Sequence, residues 1–176
     1  MKVLVALLGA FCGLGLVTLP ASAVTVDEGR AILDPWTGSW AGRFKVYAQD
    51  GTLLNVLDVE QRYWWDGDVQ TARFKETDQS GTVVTADAKN YVDKQGRLVC
   101  EVHKSTGESS KHWGNVADGY LFWYGDTPGR IETFRERVAV DDQGRRTYEI
   151  NGFGVYGKGE AASHFLFSGS YREVVD

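Results

Sequence analysis

The chain has 176 residues, of which 43% are hydrophobic and 24% charged, and it carries a net charge of −5 at neutral pH. That length accommodates one domain with a real core. The acidic balance, with Lys and Arg dispersed along the chain, argues against nucleic acid or an anionic membrane surface as a partner.

Met1 to Ala23 reads as a secretory signal peptide. Lys2 supplies a positive start, Val3 to Leu19 is apolar, and Ala21-Ser22-Ala23 fits a small-x-small cleavage site. A retained membrane anchor is the alternative, but the apolar run is short and cleavage signals follow it. Cys12 is a poor lipoprotein site because bulky Phe11 precedes it. Cleavage predicts a mature chain from Val24, with 153 residues (176 less 23) and a charge of −6 once Lys2 is removed from the −5. The expected location is periplasmic or secreted, with no stable membrane insertion after cleavage. Cys100 is the one cysteine left, so no internal disulfide is expected. It shares a face with Leu98 and Val102 and reads as a buried, inert thiol.

Val24 to Trp36 is a leader arm. Its segment from Asp27 to Leu33 has the makings of a short helical turn, broken by Asp34-Pro35. A first strand then runs from Thr37 to Tyr47. Trp40, Gly42, Phe44 and Val46 alternate with Ala41, Arg43, Lys45 and Tyr47, the period-two pattern of a half-buried strand. Further strands are predicted over 52–65, 69–77, 82–92, 97–104, 111–116, 120–125, 130–140, 145–156 and 162–174. They are separated mostly by short Asp/Gly turns such as Asp78 to Gly81, Asp93 to Gly96 and Asp141 to Gly144. No helix pattern falls between them. Short hairpins make sequential strands antiparallel neighbours, and closure removes the exposed edges that such a meander would leave. The fold class is therefore all-β: one up-and-down antiparallel barrel of ten strands over residues 37–176. An eight-stranded barrel with two of these strands merged is the alternative.

Gly38-Ser39-Trp40 on the first strand and Tyr171-Arg172 on the last resemble the lipocalin-like (calycin) barrels. The resemblance implies that Trp40 packs at the closed end beside Arg172, with a cation–π component. The chain lacks the C-terminal helix and the cysteine pair of true lipocalins. It looks closer to bacterial secreted lipocalin-like proteins of unknown function, and more distantly to nitrobindin-type barrels.

Function reads chiefly from the aromatic residues: six Trp, eight Tyr and eight Phe. A ten-stranded barrel encloses more space than short side chains fill, so it either packs aromatics or keeps a cavity. Inward polar groups beside inward rings describe an apolar pocket with a few orienting groups. The candidate ligand-binding residues are Phe44, Gln61, Tyr63, Phe74, Phe134 and Phe165. Glu132 and Glu136 share a face with Phe134 but stand roughly 13 Å apart along a strand, too far for a coupled pair. Glu132 is expected to pair with an arginine of a neighbouring strand. Tyr120 to Tyr124 carries aromatics on both faces, so one face forms an outer patch or lies under the leader. No nucleophile–base pair, phosphate loop or metal-ligand spacing occurs, and no catalytic residue, metal or cofactor is assigned. The nitrobindin likeness implies one haem arrangement, through His164, but Phe165, Phe167 and Tyr171 mark the opposite face of that strand as the interior. The leading expectation is an exported barrel that binds or carries a small hydrophobic ligand without catalysis. The alternatives are an isomerase- or cyclase-type enzyme using Tyr63 or Glu132, a haem-binding barrel, and a filled barrel acting as an interaction module.

Overall fold

Ten antiparallel strands follow one another in chain order and close into a barrel in the computed structural model, which describes residues 23–175. The candidate signal segment before Ala23 lies outside the described residues. The strands are β1 (Gly38–Ala48), β2 (Leu53–Asp66), β3 (Val69–Thr77), β4 (Val83–Val92), β5 (Leu98–Lys104), β6 (Ser109–Ala117), β7 (Tyr120–Thr127), β8 (Arg130–Val140), β9 (Arg146–Tyr156) and β10 (Ser163–Val174). Each lies within two residues of its predicted limits. The seam between β1 and β10 sets Trp40 opposite Glu173 and Phe44 opposite Gly169.

The turns fix this register. Asp78, Asp93 and Asp141 each fold a carboxylate back onto backbone N–H groups of their own turn. Asp93 accepts from Gln95 at 2.9 Å and from Arg97 at 3.0 Å, and Asp141 repeats the pattern with Gln143 and Arg145. Side chains alternate across every strand, so even-numbered residues of β1, β3, β4, β5, β6, β8 and β9 and odd-numbered residues of β2, β7 and β10 form the interior.

The leader is more ordered than an arm. Helix α1 (Val26–Leu33) begins with a capping box: the Thr25 hydroxyl accepts from the Glu28 N–H at 3.2 Å, and the Glu28 carboxylate accepts from the Thr25 N–H at 2.8 Å. A 3₁₀ turn (Asp34–Trp36) with Pro35 at its start leads into β1. Leu33 and Trp36 enter one end of the barrel, where Trp40 is 1% exposed. The Trp40 indole donates to the Trp36 carbonyl at 2.7 Å. Gln70 on β3 donates to the Leu33 carbonyl at 2.8 Å, and Asn90 on β4 donates to Gln70 at 3.0 Å. The leader is therefore a plug that ties its own carbonyls to buried amides of the barrel wall.

The arginine that stacks on Trp40 is Arg146 of β9, 4.9 Å from the ring, and not Arg172. Arg146 also pairs with Glu173 and donates to the Pro35 and Thr37 carbonyls, so it joins β9, β10, β1 and the plug. Arg172 follows inward Tyr171 on β10, so alternation turns it outward, where it is exposed beside Arg43 and Lys45.

Close approach across the seam depends on Gly42. A Cβ there would lie 2.0 Å from the Ser170 carbonyl oxygen and 2.7 Å from the Tyr171 Cα, both backbone atoms. Gly42→Ala is expected to cost about 2 kcal/mol or more of stability, read as a lowered unfolding midpoint by circular dichroism. An unchanged midpoint would show that the seam tolerates more spacing than this geometry allows.

Candidate functional site

The plugged end leaves a cavity of about 380 Å³ in the rest of the barrel. It reaches the surface at the opposite end, where Lys104 and exposed Glu108 line it. This volume falls within the range of small-molecule sites, roughly 300–1,000 Å³. Its walls divide into three levels.

The middle level is an apolar belt. Phe44, Phe167 and Phe134 stack in a row with centroids 5.7 and 5.6 Å apart, joined by Val46, Leu57 and Val102.

The mouth is charged. Glu132 is 3% exposed and gathers three partners: it accepts from His112 of β6 at 3.1 Å and from the Tyr156 hydroxyl of β9, and it forms an ion pair with Arg130 of its own strand at 2.9 Å. Arg130 also pairs with Glu108, and Lys104 with Glu76 at 3.3 Å. Burial alone would raise the Glu132 carboxyl, but the hydrogen bonds from His112 and Tyr156 and the Arg130 guanidinium beside it outweigh that and hold the group down at about 2. The expected cross-strand arginine is not its partner. Residues two apart share a face, so Arg130 reaches Glu132 along β8, while Arg135 and Arg137 lie on the outer side over Tyr120. Gly125 leaves the room for this cluster, since a Cβ there would meet the His112 ring at 2.5 Å.

The floor is polar and uncharged but for one acid. Tyr63, Tyr148 and Tyr171 converge there with Gln61, and Tyr63 donates to Gln61 at 3.0 Å. Glu136 faces this group. Burial pushes its carboxyl up to about 7, and hydrogen bonds from Tyr148 and Trp123 offset part of that rise. Its exposed fraction is surface turned toward the cavity. Burial also raises the Tyr63, Tyr148 and Tyr171 hydroxyls and the Cys100 thiol, each pushed further by the Glu136 charge. Cys100 is thus a neutral thiol, as the sequence suggests. Three buried atoms of cavity-lining residues lack a hydrogen-bond partner: Trp36 Nε1 and Asn90 Oδ1 at the plugged end, and Arg130 Nε at the mouth.

Five of the six candidate ligand residues line the cavity: Phe44, Gln61, Tyr63, Phe74 and Phe134. Phe165 does not, because it sits at the barrel rim with its ring edge-on to Tyr156 at 5.4 Å. His164 stacks on Phe153 at 6.0 Å on the outer wall, so it offers no interior ligand to a haem. In Tyr120 to Tyr124, Leu121 and Trp123 point inward, while Phe122 and Tyr124 are exposed. The leader does not cover them, because it packs against β4 and the barrel end. His112, Tyr156 and Arg130 are the functional candidates that the sequence reading missed. Arg130 shares a face of β8 with Phe134, which the sequence assigns to the interior, whereas it assigns no residue of β6 or β9 there. Among the described residues, no group of three His, Cys, Asp or Glu side chains is placed to hold a metal ion.

No protein-family model matches the sequence, and no curated protein matches it. Solved structures do. The S-type phycobiliprotein lyase CPES from Guillardia theta superposes with a TM-score of 0.61 at 8% identity, over 84% of this chain and 93% of that one. Rv2717c from M. tuberculosis superposes with a TM-score of 0.52 at 12% identity, over 84% and 98%. The fold is a lipocalin-like barrel. At these identities the likeness is one of architecture, and the chemistry of this lipocalin-like barrel is read from its own residues.

The two interior acids of the barrel predict opposite pH effects. Glu132 is held below the ordinary 4.5, so it contributes stability that is present above pH 4.5 and lost as pH falls through about 2. Glu132→Gln should flatten that acid limb. Glu136 is held above 4.5, so the fold loses stability as pH rises from 4.5 through about 7. Glu136→Gln should raise stability at pH 8.5 relative to pH 4, by on the order of 3 kcal/mol at most. Urea unfolding across pH reads both, and a Glu136→Gln curve parallel to wild type would contradict the second.

Proposed function

We propose that this chain is an exported lipocalin-like barrel that binds or carries a small, largely apolar ligand. The observation that carries the proposal is the cavity itself: a phenylalanine belt open at one end and sealed at the other by a built plug. Sealing one end while leaving the other open suits capture and release more than a packed structural core. The exported location rests on the signal-like sequence of residues 1–23. The likeness in fold to a phycobiliprotein lyase is compatible with a small organic ligand here.

One observation favours the enzymatic alternative. Glu136 is a buried acid near neutrality that faces the open space, which is how a general acid or base is held. Tyr63 and Glu132, the residues that the sequence reading would use, are less suited. The Tyr63 hydroxyl is held protonated, and Glu132 is tied up by two hydrogen bonds and an ion pair.

Native mass spectrometry of the protein purified from its own host's envelope should show a bound mass. An apolar fluorescent dye should enter the emptied barrel. Ala86→Phe places a ring in the cavity and should weaken dye binding about tenfold or more, with the unfolding midpoint held. A bare polypeptide mass, together with no dye binding by wild type, would sink the carrier reading.

A further inference from the structure

Glu132 and Glu136 are acids on one inward face of β8, yet their surroundings differ in kind. The mouth acid has a guanidinium, an imidazole and a hydroxyl. The floor acid has the Tyr148 hydroxyl and the Trp123 indole and no cation. The groups facing it come from every neighbouring wall: Tyr63 of β2, Cys100 of β5, Trp123 of β7, Tyr148 of β9 and Tyr171 of β10. All are neutral between pH 5 and 9. On its own strand, Arg130 lies about 20 Å away along the inward face and already serves Glu132 and Glu108.

A buried carboxylate without a counter-ion is costly. This chain neutralises one such acid fully and leaves the other facing the cavity. A second acceptor, Asn90 Oδ1, also stands buried and unpartnered among the lining residues. A ligand that supplies a charged N–H group would suit these two acceptors, while the unpartnered Trp36 N–H would take an acceptor elsewhere on the ligand or a water. A ligand ending in a carboxylate would add a like charge beside Glu136.

We propose that the ligand is an apolar molecule carrying a basic nitrogen, an amine or amidine, whose protonated N–H group seats on the Glu136 carboxylate while its body lies along the phenylalanine belt. This rests on the ligand-binding reading above and names the ligand's chemical class. At neutral pH, seating the cation draws Glu136 to its ionised form and releases its proton to solvent. The nitrogen keeps its own proton, and no covalent bond changes.

The test is calorimetric titration of the full mature protein with 2-naphthylmethylamine and 2-naphthalenemethanol, two probes of one shape that differ in charge. At pH 8.5 the amine should bind about tenfold or more tightly than the alcohol. At pH 5.5 its affinity should fall by about thirtyfold, because Glu136 must then give up a proton held at about 7. The alcohol should change little. Glu136→Gln should abolish both the preference and the pH dependence, and the wild-type pH comparison stands even if that variant folds poorly. Equal binding of the two probes would overturn the basic-nitrogen assignment and leave the carrier reading intact. So would an amine preference that survives in Glu136→Gln. Binding of neither probe would overturn both.

Discussion

Ten strands enclose more space than the side chains of their inner faces can fill. That constraint governs the rest of this molecule. The chain answers it differently at its two ends. At one end it spends residues 26–36 on a plug, inserts Leu33 and Trp36, and locks the plug by hydrogen bonds from Trp40, Gln70 and Arg146 to its carbonyls. At the other end it leaves the space open and lines it with a fixed charge network. The cavity is what the plug does not fill.

The interior electrostatics follow from the same geometry. Positions 130, 132, 134, 136 and 138 of β8 all face inward, so this one strand carries the mouth pair, the belt phenylalanine and the floor acid. Where the barrel meets solvent, Arg130 reaches the buried Glu132 and Lys104 the half-buried Glu76. On the floor, the neighbouring walls supply tyrosines, a tryptophan, a thiol and amides but no cation, and the carboxyl there rises to about 7. The contrast between a carboxyl at about 2 and one at about 7 on the same strand face is set by who their neighbours are, since both are buried. A site with an apolar middle and two unlike polar ends orients an elongated ligand.

Much of the fold was legible in the sequence because its turns are explicit. Asp-x-x-Gly runs bound the strands, and period-two alternation placed five of the six ligand candidates on the inner face. What was missed came from not carrying strand parity through to every residue. Phe167 and Tyr171 on the inner face of β10 force Arg172 outward, and the motif likeness to lipocalin-like barrels pointed to the wrong arginine. Arg146 opens β9 on the same face as Tyr148, so parity alone admits it to the interior. Arg130 and Glu132 likewise share a face. The meeting of His112, Tyr156 and Glu132 was not legible in the same way. It depends on register across three strand pairs and on the gap left by Gly125, which no local pattern encodes. The unpaired state of Glu136 was invisible for the same reason, because it is a statement about five other strands.

The carrier reading is tested most directly by asking whether the space inside the barrel admits an apolar guest. Diffraction from a crystal soaked in a small brominated arene, at the bromine absorption edge, locates the guest without assumptions about the natural ligand. An anomalous peak is expected within the barrel beside Phe44, Phe134 and Phe167, with the Trp36–Trp40 plug undisturbed. A barrel whose side chains fill that space, with bromine only on the outer wall, would contradict that reading.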